Sequence, residues 1–221
     1  KADRIYRVIE HETSEQGEES DMAGIPMRTI NVQNEIPDVE ATTTILNVGR
    51  AIVSNEENTN TFYEQINFSD QSFFEIFDFK LLSGNSSKLL TEPYTAVLTK
   101  STAIKIFGTT DVVGKTFDAE SDKNFTVSGV MEDFPSNSHI DVNILFSLSS
   151  EQSSEWYQRF LSDWTYNNFV VYYLLKPGAN AETVGNALTE LVAKNRQENE
   201  QPFYFWLQPI KDINFHSADI R

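Results

Sequence analysis

Cysteine is missing altogether from the 221 residues, which excludes a disulfide framework, thiol chemistry and cysteine metal ligands. Positive charge is scarce: 17 Lys and Arg face 33 Asp and Glu, for a formal net charge of -16. Nucleic-acid binding rests on basic side chains neutralising phosphates, so no nucleic-acid partner is expected, and neither is adhesion to anionic lipid through a basic patch. Long apolar runs are also lacking. The longest, Phe169 to Leu175, falls far short of the roughly 20 residues a spanning helix needs. Nucleophile-elbow (G-x-S-x-G), dinucleotide (G-x-G-x-x-G) and zincin (H-E-x-x-H) motifs do not occur, and His11, His139 and His216 lie in separate regions without ligand spacing. No catalytic group, no metal and no cofactor is expected, and the domain is read as not an enzyme.

What is present is enough apolar material for a core, 39% of residues hydrophobic and 12% aromatic, so the chain reads as globular. The most organised stretch is Phe125 to Ser147, F-T-V-S-G-V-M-E-D-F-P-S-N-S-H-I-D-V-N-I-L-F-S. Val127, Val130 and Met131 make a strand around Ser128 and Gly129, Pro135 ends its pairing, and Ile140, Val142, Ile144 and Phe146 then alternate with Asp141, Asn143 and Leu145. Strand, hard turn, strand is the expectation, with Asp133, Ser136, Asn137 and Ser138 bonding their own backbone in the corner. The expected role of His139 there is to bond backbone carbonyls.

Before this stretch, Arg4 to Glu10 reads as a strand. His11 to Asp21, with Glu12, Glu15, Glu18, Glu19 and Asp21, reads as a solvated, mobile loop; it lacks the spacing of a calcium loop. A helix is expected over Gly24 to Glu35, closed by Pro37. Val39 to Val48 and Ala51 to Ser54 read as strands joined by a turn at Gly49, and Phe62 to Phe68 as another. Phe73, Phe74, Ile76, Phe77 and Phe79 crowd a short helix after Asp70, a density that marks core. Thr95 to Leu98 is a strand, and a helix capped by Thr99 or Ser101 stops at Gly108. Gly108 to Thr116 has a superficial P-loop look, but five residues separate Gly108 from Gly114 where the motif has four, and the segment follows a helix instead of a strand. A helix stop and a tight turn are expected there, followed by strands at Val112 to Phe117 and Phe125 to Met131.

The last third restarts with a helix over Glu151 to Trp164. Next come a buried strand at Phe169 to Leu175, a Pro177–Gly178 turn, a helix over Ala181 to Lys194 and an aromatic strand at Phe203 to Ile210. Strand, loop, helix, strand thus occurs at both ends of the chain. The fold class expected is α+β: a discontinuous lobe of two β-α-β units, residues 1–68 and 147–221, with a smaller α/β lobe inserted at 69–146. The Phe125 to Ser147 corner would be the return from the inserted lobe. Since the chain starts at Lys1 with a strand almost at once and stops after an aromatic strand, it reads as a piece of a larger protein.

Eight segments in order carry a resemblance: D-R-I-Y-R-V from Asp3, E-I-P-D-V-E from Glu35, F-F-E-I-F-D-F-K-L-L-S-G from Phe73 and T-A-V-L-T-K-S-T-A-I-K-I-F-G from Thr95, then V-V-G-K-T-F from Val112, V-S-G-V-M-E-D-F-P-S-N-S-H from Val127, Y-L-L-K-P-G from Tyr173 and L-Q-P-I-K-D-I-N-F-H-S from Leu207. Together they resemble the MacB-like periplasmic core domain of FtsX-family ABC transporter permeases, in the form found in Bacteroidetes, with Asn214 where the family pattern has His. The resemblance implies a porter-like discontinuous lobe on the periplasmic side of the bacterial inner membrane, tethered through flanking membrane helices. It implies as partners a second permease copy, a cytoplasmic ATPase and a periplasmic adaptor or substrate protein. The implied activity is transmission of ATP-driven movement to export or extract a substrate. The alternative reading is a periplasmic module capturing a lipid, peptide or antibiotic between its lobes. Gly108, Gly114, Gly129, Pro135 and His139 are the structural positions singled out.

Overall fold

Ile5, Val8 and Ile9 start the strand on which the first part of the fold is built, β1 (Ile5–Thr13). The computed structural model describes residues 1–26, 29, 35–55, 61–119, 123–135, 138–161, 167–196 and 202–213. The chain divides into two compact units, Lys1–Thr44 with Ser154–Arg221, and Ile45–Ser153.

In the first unit, β1 pairs antiparallel with β12 (Phe203–Pro209) along one edge. Along the other edge it meets β11 (Asn167–Leu175) at Ile5 to Arg7 and β2 (Glu19–Met22) at Glu10 to Thr13, also antiparallel. A short strand, β3 (Gly24–Pro26), pairs with β11. β11 and β12 therefore run parallel with β1 between them, a relation that needs a crossover, and α4 (Ala181–Ala193) supplies it. Val184, Leu188 and Val192 of α4 are buried at helical spacing, and the Asn180 side chain caps the helix by accepting from Thr183 N at 3.0 Å.

Gly185 sets how closely α4 approaches the sheet: a Cβ there would stand 2.7 Å from the Phe205 carbonyl oxygen, so any side chain would push helix and strand apart. Close approach lets the Thr189 hydroxyl accept from Phe205 N at 2.8 Å, satisfying a donor on the outer edge of β12.

The segment His11 to Asp21, expected as a mobile loop, is instead most of a hairpin. β1 continues to Thr13, Thr13 stands opposite Glu19, and the turn closes through Ser14 N to Glu18 O at 2.8 Å and Gly17 at φ +79°. Polar residues on both strands hid the period, because β1 and β2 pair through their backbones. The expected helix from Gly24 begins as strand β3, and residues 27–28 and 30–34 lie outside the described residues.

In the second unit the strands close on themselves. β4 (Val39–Asn55), whose first six residues belong to the first unit, pairs antiparallel with β5 (Phe62–Ser69). β5 runs parallel to β10 (Ile144–Ser147), β10 antiparallel to β7 (Thr95–Thr99), and β7 parallel to β9 (Lys123–Met131). β8 (Thr116–Ala119) pairs antiparallel with both β9 and β4, completing a ring of six strands, and β6 (Leu81–Gly84) adds to β9. Closure removes exposed ring edges. One face of the ring is filled by Phe68, Phe117, Phe125 and Phe146, with ring centroids 4.1 Å apart for Phe125 and Phe146 and 5.4 Å for Phe68 and Phe146. All four are buried.

Gly49 does not turn the chain. It sits at φ +97° in a β-bulge where the register against β5 shifts between Asn47 and Gly49, and β4 runs on through it. Of Val112 to Phe117 only the end is strand, and of Ile140 to Phe146 only Ile144 onward, although Ile140 and Val142 are buried. α1 (Ser72–Ile76) carries the aromatic cluster as core, with Phe73 stacked 5.3 Å from Phe79. α2 (Lys100–Phe107) follows β7 directly. The helix expected over Glu151 to Trp164 is a 3-10 turn, Leu148–Glu151, and then α3 (Glu155–Phe160) capped by Ser154, while Trp164 lies outside the described residues.

The fold is α+β. Where the sequence placed joins after residues 68 and 146, packing divides the chain inside β4, between Thr44 and Ile45, and after the 3-10 turn, between Ser153 and Ser154. β5 accounts for the first difference, since it is a ring strand of the second unit.

Candidate functional site

The corner after β9 is pinned at three successive residues. Glu132 N donates to Lys80 O at 2.9 Å and its carboxylate pairs with Lys80 Nζ at 3.3 Å. Asp133 Oδ1 accepts from Ser101 N at 3.0 Å and Ser101 Oγ at 2.8 Å, placing a negative charge at the amino end of α2. Phe134 packs edge-on to Phe79 at 4.6 Å. Pro135 O accepts from Ser138 N at 2.8 Å, Ser138 Oγ accepts from Ile140 N at 3.1 Å, and His139 between them is half-buried; Ser136 and Asn137 lie outside the described residues. Both flanking strands, β9 and β10, belong to the second unit. The corner is therefore a joint inside that unit, not the return to the first one, which comes at Ser153 and Ser154.

Three glycines answer local demands in the same unit. Gly108, at φ +74°, ends α2 with its N–H on Ile104 O at 2.8 Å. Gly114, at φ +86°, turns the chain so that its N–H reaches Val127 O at 2.8 Å, while Val127 N returns a bond to Lys115 O at 2.9 Å. The P-loop look of Gly108 to Thr116 is thus a helix stop and a turn laced to β9. Gly129 needs space: a Cβ there would lie 2.6 Å from Leu89 Cδ2.

Ionisable groups gather elsewhere. In the second unit Glu64, 1% exposed, faces Lys105 of α2 and accepts from Asn143 Nδ2, and Glu151 pairs with Lys123 at 2.8 Å. In the first unit His11 Nδ1 is 2.8 Å from Asp21 Oδ1 and stacks on Tyr204 at 4.5 Å, with Trp206 Nε1 donating to the same carboxylate at 3.3 Å. On the opposite face of β1, Glu10 is fully buried against Arg196, with Glu12 3.5 Å from the same guanidinium. Burial pushes the Glu10 carboxyl up to about 7, Arg196 opposing and Glu12 adding to the rise. Among the described residues no group of three or more His, Cys, Asp or Glu could hold a metal ion.

A split first unit, a closed second unit and a pinned E-D-F-P corner can be set against known proteins. The family described as MacB-like periplasmic core domain matches residues 1–191. The chain belongs to this family. Among solved structures, a permease domain from Porphyromonas gingivalis is 27% identical, with a TM-score of 0.82 over 94% of this chain and 90% of that one. The periplasmic region of MacB from Actinobacillus actinomycetemcomitans is 14% identical, with a TM-score of 0.64 over 95% and 90%. The extracellular domain of the ABC-type transporter YknZ from Gram-positive bacteria is 12% identical, with a TM-score of 0.65 over 92% and 99%. The last two show a shared fold. No curated protein matches the chain.

This MacB-like core domain is thus a periplasmic domain of the ABC transporter permease type. No helix among its described residues is long and apolar enough to cross a membrane. The D-I-N-F-H-S ending lies past the matched span, and from Asn214 onward, His216 included, it lies outside the described residues. Gly185 and the Glu10–Arg196 pair escaped the sequence reading. A glycine between Val184 and Leu188, inside an apolar helical face, was the available signal for the first; nothing local signalled the second, whose partners stand 186 positions apart.

Proposed function

We propose that the domain is the extracytoplasmic moving part of a permease. In this reading it is held to the membrane at both ends of its first unit and carries motion driven by a cytoplasmic ATPase to a substrate outside the membrane. Family membership supports the setting, and one geometric feature supports the mechanics. The start of β1 and the end of β12 are adjacent: Tyr6 stands opposite Pro209, and Asp3 pairs with Lys211. Two tethers leaving one end of a unit let force applied there move the unit as a lever instead of pulling its sheet apart. In this reading a second permease copy faces the first, and a periplasmic adaptor or substrate protein meets the domain away from the tethers. The five joints Gly108, Gly114, Gly129, Pro135 and His139 serve to keep the second unit stiff.

The test is carried out on the full-length permease with its ATPase in vesicles. Because the chain has no cysteine, single cysteines in place of Asp3, Lys211 and the exposed Lys194, which lies beyond the far end of α4, can each carry a fluorophore against nitroxide-labelled lipid. Equal, strong quenching at positions 3 and 211, weak quenching at 194, and a nucleotide-dependent change at 194 are expected. Quenching at only one of positions 3 and 211, or no response to ATP at 194, would overturn the proposal.

A further inference from the structure

The inner face of β1 carries two carboxylates where an apolar strand would be expected. Val8, Glu10 and Glu12 stand opposite Leu207, Phe205 and Phe203 of β12, and α4 covers this face through its contacts at Gly185 and Thr189. Arg196 comes one turn after α4, its N–H on Val192 O at 3.0 Å. Its guanidinium lies 4.0 Å over the Phe203 ring, bonds Glu10 Oε1 and comes within 3.5 Å of Glu12 Oε1. Glu10 Oε2 is buried and has no hydrogen-bond partner.

We propose that Glu10, Glu12 and Arg196 form a proton-sensitive latch that fastens the end of α4 to β1, closed when Glu10 holds a proton and loosened when it is ionised. The charge count favours this: two carboxylates share one guanidinium, so the cluster is neutral only with one proton aboard. An ionised Glu10 also leaves a buried anionic oxygen unsolvated, and relief requires water, which enters by lifting the α4 end. With Glu10 neutral, Glu12 and the Phe203 ring still hold Arg196. Among the described residues no other charge faces Glu10 from its neighbours. β2 sets Met22 opposite it and β12 sets Phe205; Glu190 and Lys194 of the α4 end are exposed. His11 points to the other side of the strand, against Asp21. Burial pushes the Glu10 carboxyl up to about 7, which puts the transition where the medium outside a bacterial membrane varies. The latch is a property of the chain itself and does not rest on the transport reading.

The test follows the Glu10 side-chain carboxyl by carbon NMR on the 221-residue chain from pH 4 to 9, together with amide exchange at Lys194, Asn195 and Arg196. A midpoint near 7 is expected, with exchange protection at these three amides falling severalfold across it beyond the ordinary pH dependence of exchange. In Glu10→Gln that fall should be absent, and in Glu12→Gln the midpoint should drop. A Glu10 midpoint near the ordinary carboxylate range, or the same loss of protection in Glu10→Gln, would overturn the proposal. Should Glu10→Gln fail to fold, the wild-type midpoint decides alone.

Discussion

Replacing Gly185 with alanine sets two opposing effects against each other, and the structure says which wins. In a helix interior alanine is favoured over glycine by about 1 kcal/mol, so helix propensity alone predicts a more stable protein. Against this, the new methyl would stand 2.7 Å from Phe205 O and 3.4 Å from Trp206 Cα, both backbone atoms that no rotamer change can move. Forcing such a group into a packed interface costs about 1–3 kcal/mol. Displacing α4 also stretches the 2.8 Å bond from Phe205 N to Thr189 Oγ1, worth about 0.5–1.5 kcal/mol. The balance is a net loss of about 1–3 kcal/mol, since the steric and hydrogen-bond terms together exceed the propensity gain. Urea denaturation of Gly185→Ala should therefore show a lower midpoint at unchanged slope. Asn186→Ala, at an exposed position on the same helix, serves as control and should be neutral or gain a few tenths of a kcal/mol. A Gly185→Ala protein more stable than wild type would refute the close-approach argument.

Removing the α2 cap by Asp133→Ala should cost about 1 kcal/mol in thermal or urea unfolding, because Ser101 N loses its acceptor; an unchanged midpoint would count against the cap. Phe146→Ala, at the point where Phe68, Phe117 and Phe125 meet, should cost about 3–5 kcal/mol, whereas exposed Tyr63→Ala should change stability little. Glu10 titrates at about 7 in the fold against 4.5 for an ordinary glutamate, so its contribution to stability is complete below pH 4.5 and is lost as pH rises through 7. At roughly 1.36 kcal/mol for each pKa step this amounts to about 3 kcal/mol. Urea midpoints measured across that window should fall in wild type, and Glu10→Gln should flatten the fall.

Elements with one strong period were legible in the sequence. β5, β7, β11, β12, α2 and α4 lie close to where alternation, an unbroken apolar run or helical spacing put them, because burial on one face, as in α2 and α4, or on both, as in β7 and β11, leaves a continuous local pattern. The β1–β2 hairpin was not legible. Its pairing is carried by backbone bonds, and its side chains are polar ones satisfied across the hairpin, as His11 by Asp21, or from the far end of the chain, as Glu12 by Arg196. The division inside β4 was hidden for a related reason: a strand that runs unbroken from Val39 to Asn55 shows no change of composition at Thr44. Ring closure through β8 depends on three residue pairs, Val53 to Asn55 against Phe117 to Ala119, and no local pattern announces a pairing over such a distance. The corner at Glu132 to His139 was legible as a turn, yet its purpose became visible only when Asp133 was found at the start of α2. In the same way Gly185 passed unremarked inside the helix over Ala181 to Lys194, because its meaning lies in the strand beneath it.

The central claim, that this domain moves when ATP is consumed on the other side of the membrane, is tested most directly by pulsed electron paramagnetic resonance. The sample is the full-length permease with its ATPase, carrying a spin label at the exposed Lys194 in each of the two permease copies that the proposal sets facing one another. The account predicts a distance distribution that differs between ATP-bound and ADP-bound complexes, with the difference lost in an ATPase-inactive partner cycling the same nucleotides. Identical distributions in every nucleotide state would contradict it.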